Sequence, residues 1–247
     1  METTKKTKEM DMLNGGLAGK LILFSIPLAF SSILQQLFNS ADVAVVGRFA
    51  GDRALAAVGS CVALVGIFVN LIVGFSVGPN AVLANLIGQK RRDKINRMLH
   101  TIMAFGLIAG VILMGLGMLS AKPILEVSGT PESVMNEALL YIRIYFIGIP
   151  FMMIYNFGSA VLRSFGDTRR PMYYLILSGT VNVILNLILV IYFKLGVAGV
   201  AIATVISNIL SAGLVLIYLY RREDEFQFRP QTVSYTHLRA HETCADL

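Results

Sequence analysis

Apolar residues gather in six stretches, at about residues 21–46, 55–87, 98–119, 138–162, 172–193 and 197–220. A hydrocarbon core of ~30 Å is crossed by about 20 residues at 1.5 Å per residue. Each stretch therefore reads as a spanning helix. None alternates with period two, which sets a barrel aside. The expected fold is all-α, a polytopic six-transmembrane-helix bundle over residues 21–220. Polar breaks separate the spans at 48–53 (RFAGDR), 89–97 (a basic loop, QKRRDKINR), 122–137 and 164–171 (SFGDTRRP). Within 122–137, Thr130-Pro131-Glu132 marks a helix start. Gly78-Pro79 predicts a kink late in the second span, and Gly148 and Pro150 interrupt the fourth. Gly106 and Gly110 have the four-residue spacing that lets helices approach closely.

Polar residues inside the spans follow a pattern of their own. Gln35, Asn39 and Asp42 fall at i, i+4 and i+7, one face of a helix, with Ser31 a turn earlier. An ionised Asp in a spanning helix costs roughly 2.5–3.5 kcal/mol when it faces lipid. That face should look into protein or a watered cavity, and it reads as the working face of a transporter. The plainer alternative is a structural Asp hydrogen-bonded inside the bundle. Asn182 and Asn186 share a face of the fifth span, and Thr204 lies about two turns into the sixth. With alternating span directions these three fall in the same outer-half layer as Asp42, and Asn156 on the fourth span lies deeper. One carboxylate with amide and hydroxyl oxygens suits Na⁺ or a protonatable acid. Taken singly, each Asn or Thr is equally readable as interhelical glue worth about 0.6 kcal/mol.

Composition sharpens this picture. Residues are 55% hydrophobic and only 15% charged, too few charges for a soluble surface. The net charge of +6 would suit nucleic acid, but the basic residues sit at span ends. Lys5, Lys6, Lys8, Lys20, Lys90, Arg91, Arg92, Lys94, Arg97, Arg163, Arg169, Arg170, Arg221 and Arg222 flank one side. Arg48, Arg53, Lys122 and Lys194 flank the other. The excess marks the cytoplasmic side, so both termini are expected inside a cell inner (plasma) membrane, with the lipid bilayer as partner and no nucleic acid. Residues 1–20 then form a cytoplasmic segment without a cleavable signal.

No phosphate-cradling GxxxxGK[ST] motif is present, and no span carries a His pair or Cys cluster. An enzyme is not expected, nor any cofactor, nor a metal beyond Na⁺ at Asp42. His237, His241 and Cys244 imitate ligand spacing but stand in an isolated tail.

Several segments are similar to one family in the right order. Pro27 with Asp42, ADVAVVGRFAGDRALAAVG, GQKRRDK after the second span and VLRSFGDTRRPM after the fourth resemble the amino-terminal half of multidrug and toxic compound extrusion (MATE) transporters. The resemblance covers about residues 13–229. It implies one lobe of a twelve-helix, two-lobe exporter that exchanges Na⁺ or H⁺ for cationic, amphipathic, drug-like compounds. It implies a cation-coupling site at Asp42, with Asn182, Asn186 and Thr204 around it, and a bend of the first helix at Pro27. Gln35, Asn39 and Asn156 become candidate cavity-lining residues. Some members carry an acid at the position of Asn186. Its absence here favours proton coupling through Asp42.

The C-terminal lobe is expected to be missing, with 221–232 the start of an inter-lobe linker and 233–247 (VSYTHLRAHETCADL) a non-native tail. Two other functions fit the same spans: a lipid-linked oligosaccharide flippase of the same superfamily, and a structural membrane subunit without transport. The flippase would favour cationic residues within the spans, for which only Arg143 qualifies.

Overall fold

The computed structural model describes residues 17–221, less the side chains of residues 17, 18, 92 and 93. The expectations for the amino-terminal lysines, the linker and the tail with His237, His241 and Cys244 lie outside the described residues. Among the described residues there is no strand. The helices are α1 (Leu17–Phe49), α2 (Asp52–Gly88), α3 (Arg92–Val127), α4 (Glu132–Ile147), α5 (Ile149–Ser164), α6 (Arg169–Leu187) and α7 (Gly196–Arg221), with a π-helical turn at Ile188–Tyr192 after α6. Among the described residues, five helices are long and apolar enough to cross a membrane, and six spans result when the bent pair α4 and α5 is taken as one.

The bend between α4 and α5 is 44°. Pro150 stands in the first turn of α5 and has no N–H to offer the carbonyl of Phe146. Gly148 closes α4 instead by donating its N–H to the Tyr145 carbonyl at 2.9 Å. Below the bend, α5 becomes the axis of the bundle. Phe157, Ala160 and Leu162 are fully buried on it, and it packs against α2, α3 and α7. The glycines of α3 make this possible. A Cβ on Gly110 would stand 2.7 Å from the Pro150 Cα, and one on Gly106 would stand 3.1 Å from the Phe157 ring. With no hydrophobic drive between helices in lipid, such close packing is the main cohesive force.

Several boundaries differ from those the sequence predicts. The basic stretch 89–97 is not a loop: only residues 89–91 leave the helix, and α3 begins at Arg92. Ile95 and Leu99 are buried on one face there, and Lys94 and Arg97 are exposed on the other. At its far end α3 runs through Pro123 to Val127 because Ala121 and Leu125 are fully buried. The fourth span begins at Glu132 rather than 138, behind Pro131, and α1 begins at Leu17 rather than 21. The second span runs through Gly78-Pro79 as one helix.

α1 lies at the edge of the bundle, mostly exposed, and packs mainly on α6. Its ring of Phe38 sits directly on Gly179 of α6, where any Cβ would overlap it. Gly179→Val should therefore push α1 from α6, costing about 1–3 kcal/mol as an overpacked contact. The expected outcome is a thermal midpoint in detergent several degrees lower, recovered by adding Phe38→Ala. An unchanged midpoint for Gly179→Val alone would mean that this contact does not hold the edge helix.

Candidate functional site

Four helices turn their polar residues toward one another along a single seam. On α1, residues 28, 31, 35, 38, 39 and 42 recur at helical spacing and line two adjoining cavities. α5 contributes Tyr155 and Asn156, α6 contributes Ser178 and Asn182, and α7 contributes Thr204, Ser207, Asn208 and Ser211. Groups that would be costly against acyl chains are turned inward here, where Asn156, Ser178, Ser207 and Ser211 donate to carbonyls of their own helices.

Asp42, half-buried, stands at one end of the seam. The Asn186 amide donates an N–H to its Oδ1 at 2.5 Å, and a second to Asn182 Oδ1 at 3.2 Å. Asn182 in turn donates to Thr204 Oγ1 at 3.4 Å, and Thr204 donates to the Val200 carbonyl at 3.0 Å. The chain of donors thus runs from both Asn side chains, outward to the carboxylate and inward to α7. Both amide hydrogens of Asn186 are used, while its own Oδ1 is buried with no hydrogen-bond partner among the described residues. A buried carbonyl oxygen left this way costs about 1–3 kcal/mol. Beside a carboxylate, it is an acceptor suited to a proton donor or a small cation.

The structure brings together Asp42, Asn182, Asn186 and Thr204. Gln35, Asn39 and Asn156 line the cavity next to them. That cavity holds about 80 Å³. A water occupies roughly 30 Å³ of liquid, and drug-sized molecules need roughly 300 Å³ or more, so it accommodates a few waters or an ion. Asn39 is exposed and bonds Gln36 Oε1 at 3.4 Å, and Asn156 donates to the Met152 carbonyl at 2.8 Å. Arg143 is exposed and lines neither cavity. Among the described residues, no three His, Cys, Asp or Glu side chains group to hold a metal.

Ser178, Ser207, Asn208 and Ser211 are cavity residues the sequence reading passed over. Their signal was spacing: each lies three, four or seven residues from Asn182 or Thr204, on the same helical face. The π turn at Ile188–Tyr192 was also missed. It starts two residues beyond Asn186 and is closed by Phe193 N–H donating to the Ile188 carbonyl at 3.1 Å. Such insertions often adjoin functional residues, and propensity carries no signal for them.

Pro27 lies within α1, where it leaves the Leu23 carbonyl without its usual donor. Ser31 Oγ donates to the Pro27 carbonyl at 2.7 Å. The ladder of α1 is thus already weakened about four turns from Asp42, at the other end of the seam.

The fold and sequence have known counterparts. A family model described as MatE matches residues 27–188. The probable multidrug resistance protein YoeA of Bacillus subtilis is 33% identical over 210 residues, 83% of this chain and 45% of that protein. The probable multidrug resistance protein YpnP of Bacillus subtilis is 33% identical over 214 residues, 85% of this chain and 46% of that protein. A crystal structure of MATE in the bent conformation superposes with a TM-score of 0.85 at 25% identity, over 92% of this chain and 51% of the solved one. The chain spans about half the length of the relatives it matches. Its helical membrane fold and the matched family model lead to one conclusion: the chain belongs to the MatE family of membrane transporters.

Proposed function

We propose that this chain is the amino-terminal lobe of a secondary multidrug antiporter, which exchanges H⁺ or Na⁺ for cationic amphipathic compounds. Asp42 is the coupling group, and a second lobe of similar size completes the translocation path. One observation carries the reading: Asp42, the carboxylate set deepest in any described span, is held by Asn186 at the mouth of a polar cavity. A carboxylate needed only for packing would be enclosed, whereas this one opens onto space for water and an ion.

The site's chemistry favours a proton over Na⁺. Its neighbours are neutral, so Asp42 supplies the one negative charge. When Asp42 is ionised, Asn186 donates to it. When it is protonated, its oxygen becomes a donor, and a half-turn of the Asn186 amide presents the buried Oδ1 to accept. The tie from α1 to α6 then changes from charge-assisted, worth roughly 1.5–3 kcal/mol, to neutral, worth roughly 0.5–1.5 kcal/mol. Loading thus loosens α1 from α6, and Pro27 supplies the weak point at which α1 bends. Alternating access follows as a rocking of this lobe against its partner.

Orientation in the inner (plasma) membrane, with both ends of the lobe cytoplasmic, belongs to the same proposal. Lys90, Arg91, Lys94, Arg97, Arg169 and Arg170 crowd the α2–α3 and α5–α6 ends, against Arg48, Arg53, Lys122 and Lys194 at the opposite ends. This asymmetry supports that sidedness.

In the complete two-lobe transporter, Asp42→Asn should reduce proton-driven efflux of a cationic dye to background while leaving membrane insertion intact. Efflux at the parent's rate would remove Asp42 from the mechanism. Asn186→Asp should add a second carboxylate to the same oxygen set, giving a Na⁺-dependent rise of a few degrees in thermal midpoint, with choline chloride as control. The parent should show no such rise; equal stabilisation of parent and variant would mean that Asn186 does not decide the coupling ion.

A further inference from the structure

The seam has a second charged end. Arg163, the penultimate residue of α5, lies on the same helical face as Tyr155 and Asn156 and lines a cavity of about 130 Å³ with them, Ser31, Thr168 and Pro171. This cavity shares Gln35, Tyr155 and Asn156 with the one beside Asp42, so the two are successive parts of one cleft. Ser31 stands 11 residues before Asp42 on α1, about 16 Å along the helix. The carboxylate and the guanidinium are therefore too far apart to pair.

No acidic residue lines the cavity around Arg163. The neighbouring acid is Asp167, and it is taken: Arg170 Nη1 donates to its Oδ2 at 2.6 Å and the Arg170 backbone N–H donates to Oδ1 at 3.1 Å. Arg170 itself also donates to the Tyr218 hydroxyl and lies over that ring. The Arg163 guanidinium makes no hydrogen bond or ion pair among the described residues. The neighbouring Arg169 is exposed, so Arg163 is the cation of this segment that the fold turns inward, half-buried.

Thr168 adds a donor. It is 3% exposed, precedes the first turn of α6, and makes no side-chain capping bond to that turn. By contrast, Ser31 Oγ and the Tyr155 hydroxyl already donate, to the Pro27 carbonyl at 2.7 Å and the Pro171 carbonyl at 3.0 Å. The donors left over are the guanidinium fork and the Thr168 hydroxyl, both suited to one anionic group.

We propose that this end of the cleft is an oxyanion subsite, in which Arg163 and Thr168 bind the phosphate or carboxylate of an amphipathic molecule whose apolar part lies along the cleft toward Leu28 and Leu175. The volume accepts such a headgroup with a few waters but not a whole drug-sized molecule. The tail must therefore extend outside the cavity, which lies beside the sparsely packed edge helix α1. The subsite does not depend on ion coupling at Asp42. It extends the ligands of this lobe to molecules bearing a negative group.

The test uses the full chain, purified in neutral maltoside detergent and titrated with dodecyl phosphate, dodecanoate, dodecyltrimethylammonium and inorganic phosphate, with binding read by thermal shift and calorimetry. Dodecyl phosphate and dodecanoate should bind saturably, and inorganic phosphate at least tenfold more weakly. Arg163→Ala should weaken both amphiphiles at least tenfold, and Arg163→Lys should weaken them less. Retention of parental affinity in Arg163→Ala would overturn the proposal, as would equal binding of the trimethylammonium amphiphile. Equal binding of inorganic phosphate would assign the site to a free anion and overturn the amphipathic part. Since efflux by Asp42→Asn is a separate measurement, failure here leaves the coupling proposal to stand or fall by itself.

Discussion

A polar group inside a bilayer has no water to fall back on, and the architecture of this chain follows from that constraint. α1 is scarcely buried, so apolar packing alone defines its rotation poorly: Leu, Ile and Phe side chains face lipid or neighbour at similar cost. What distinguishes one rotation from another is the stripe from Ser31 to Asp42. Turned toward α6, its carboxylate receives the Asn186 amide at 2.5 Å. Turned to lipid, the same carboxylate would cost roughly 2.5–3.5 kcal/mol. The hydrogen bond therefore sets the azimuth of α1, and the contact of Phe38 with Gly179 sets its distance.

The same interaction explains why the edge helix is the one suited to move. α2, α3, α5 and α7 enclose a core built on buried side chains such as Phe146, Phe157, Met153 and Val215, and a shift there would open voids costing several kcal/mol. α1 shares little of that core. Its attachment is lighter, with Val45 and Val46 buried beside the Asp42–Asn186 hydrogen bond and the Phe38–Gly179 contact, and its backbone ladder is interrupted at Pro27. The Asp42–Asn186 bond is the charge-dependent part of that attachment.

The sequence was most legible where lipid removes alternatives. An apolar run of bilayer length is a helix in either reading, so span positions were recoverable, and the helical spacing of Gln35, Asn39 and Asp42 revealed one face of the seam. The pair Asn182 and Asn186 was visible for the same reason. Boundaries were less legible where charge and burial compete. Residues 89–97 look like a solvated loop until Ile95 and Leu99 are seen to anchor them, and Pro123 looks like a stop until Leu125 is found buried beyond it. The serines of α6 and α7 were missed because Ser carries little weight one residue at a time, and only the three-dimensional seam joins them. Arg163 was read as one more orienting charge, since sequence gives the number of cations at a span end and not the direction in which each side chain turns.

The two ends of the cleft obey one electrostatic argument with opposite signs. At the Asp42 end every neighbour is a neutral dipole, so no fixed cation competes with a proton or a small ion for the carboxylate. At the Arg163 end the nearby acid is already engaged by Arg170, so no carboxylate compensates the guanidinium. Had Asp167 turned to Arg163 instead, the cleft would carry charge at one end only. The Arg170–Asp167 pair, fastened to α7 through Tyr218, thus does more than close the α5–α6 turn: by occupying the acid, it leaves Arg163 as a charged cleft wall, and a single short loop sets the polarity along the length of the seam.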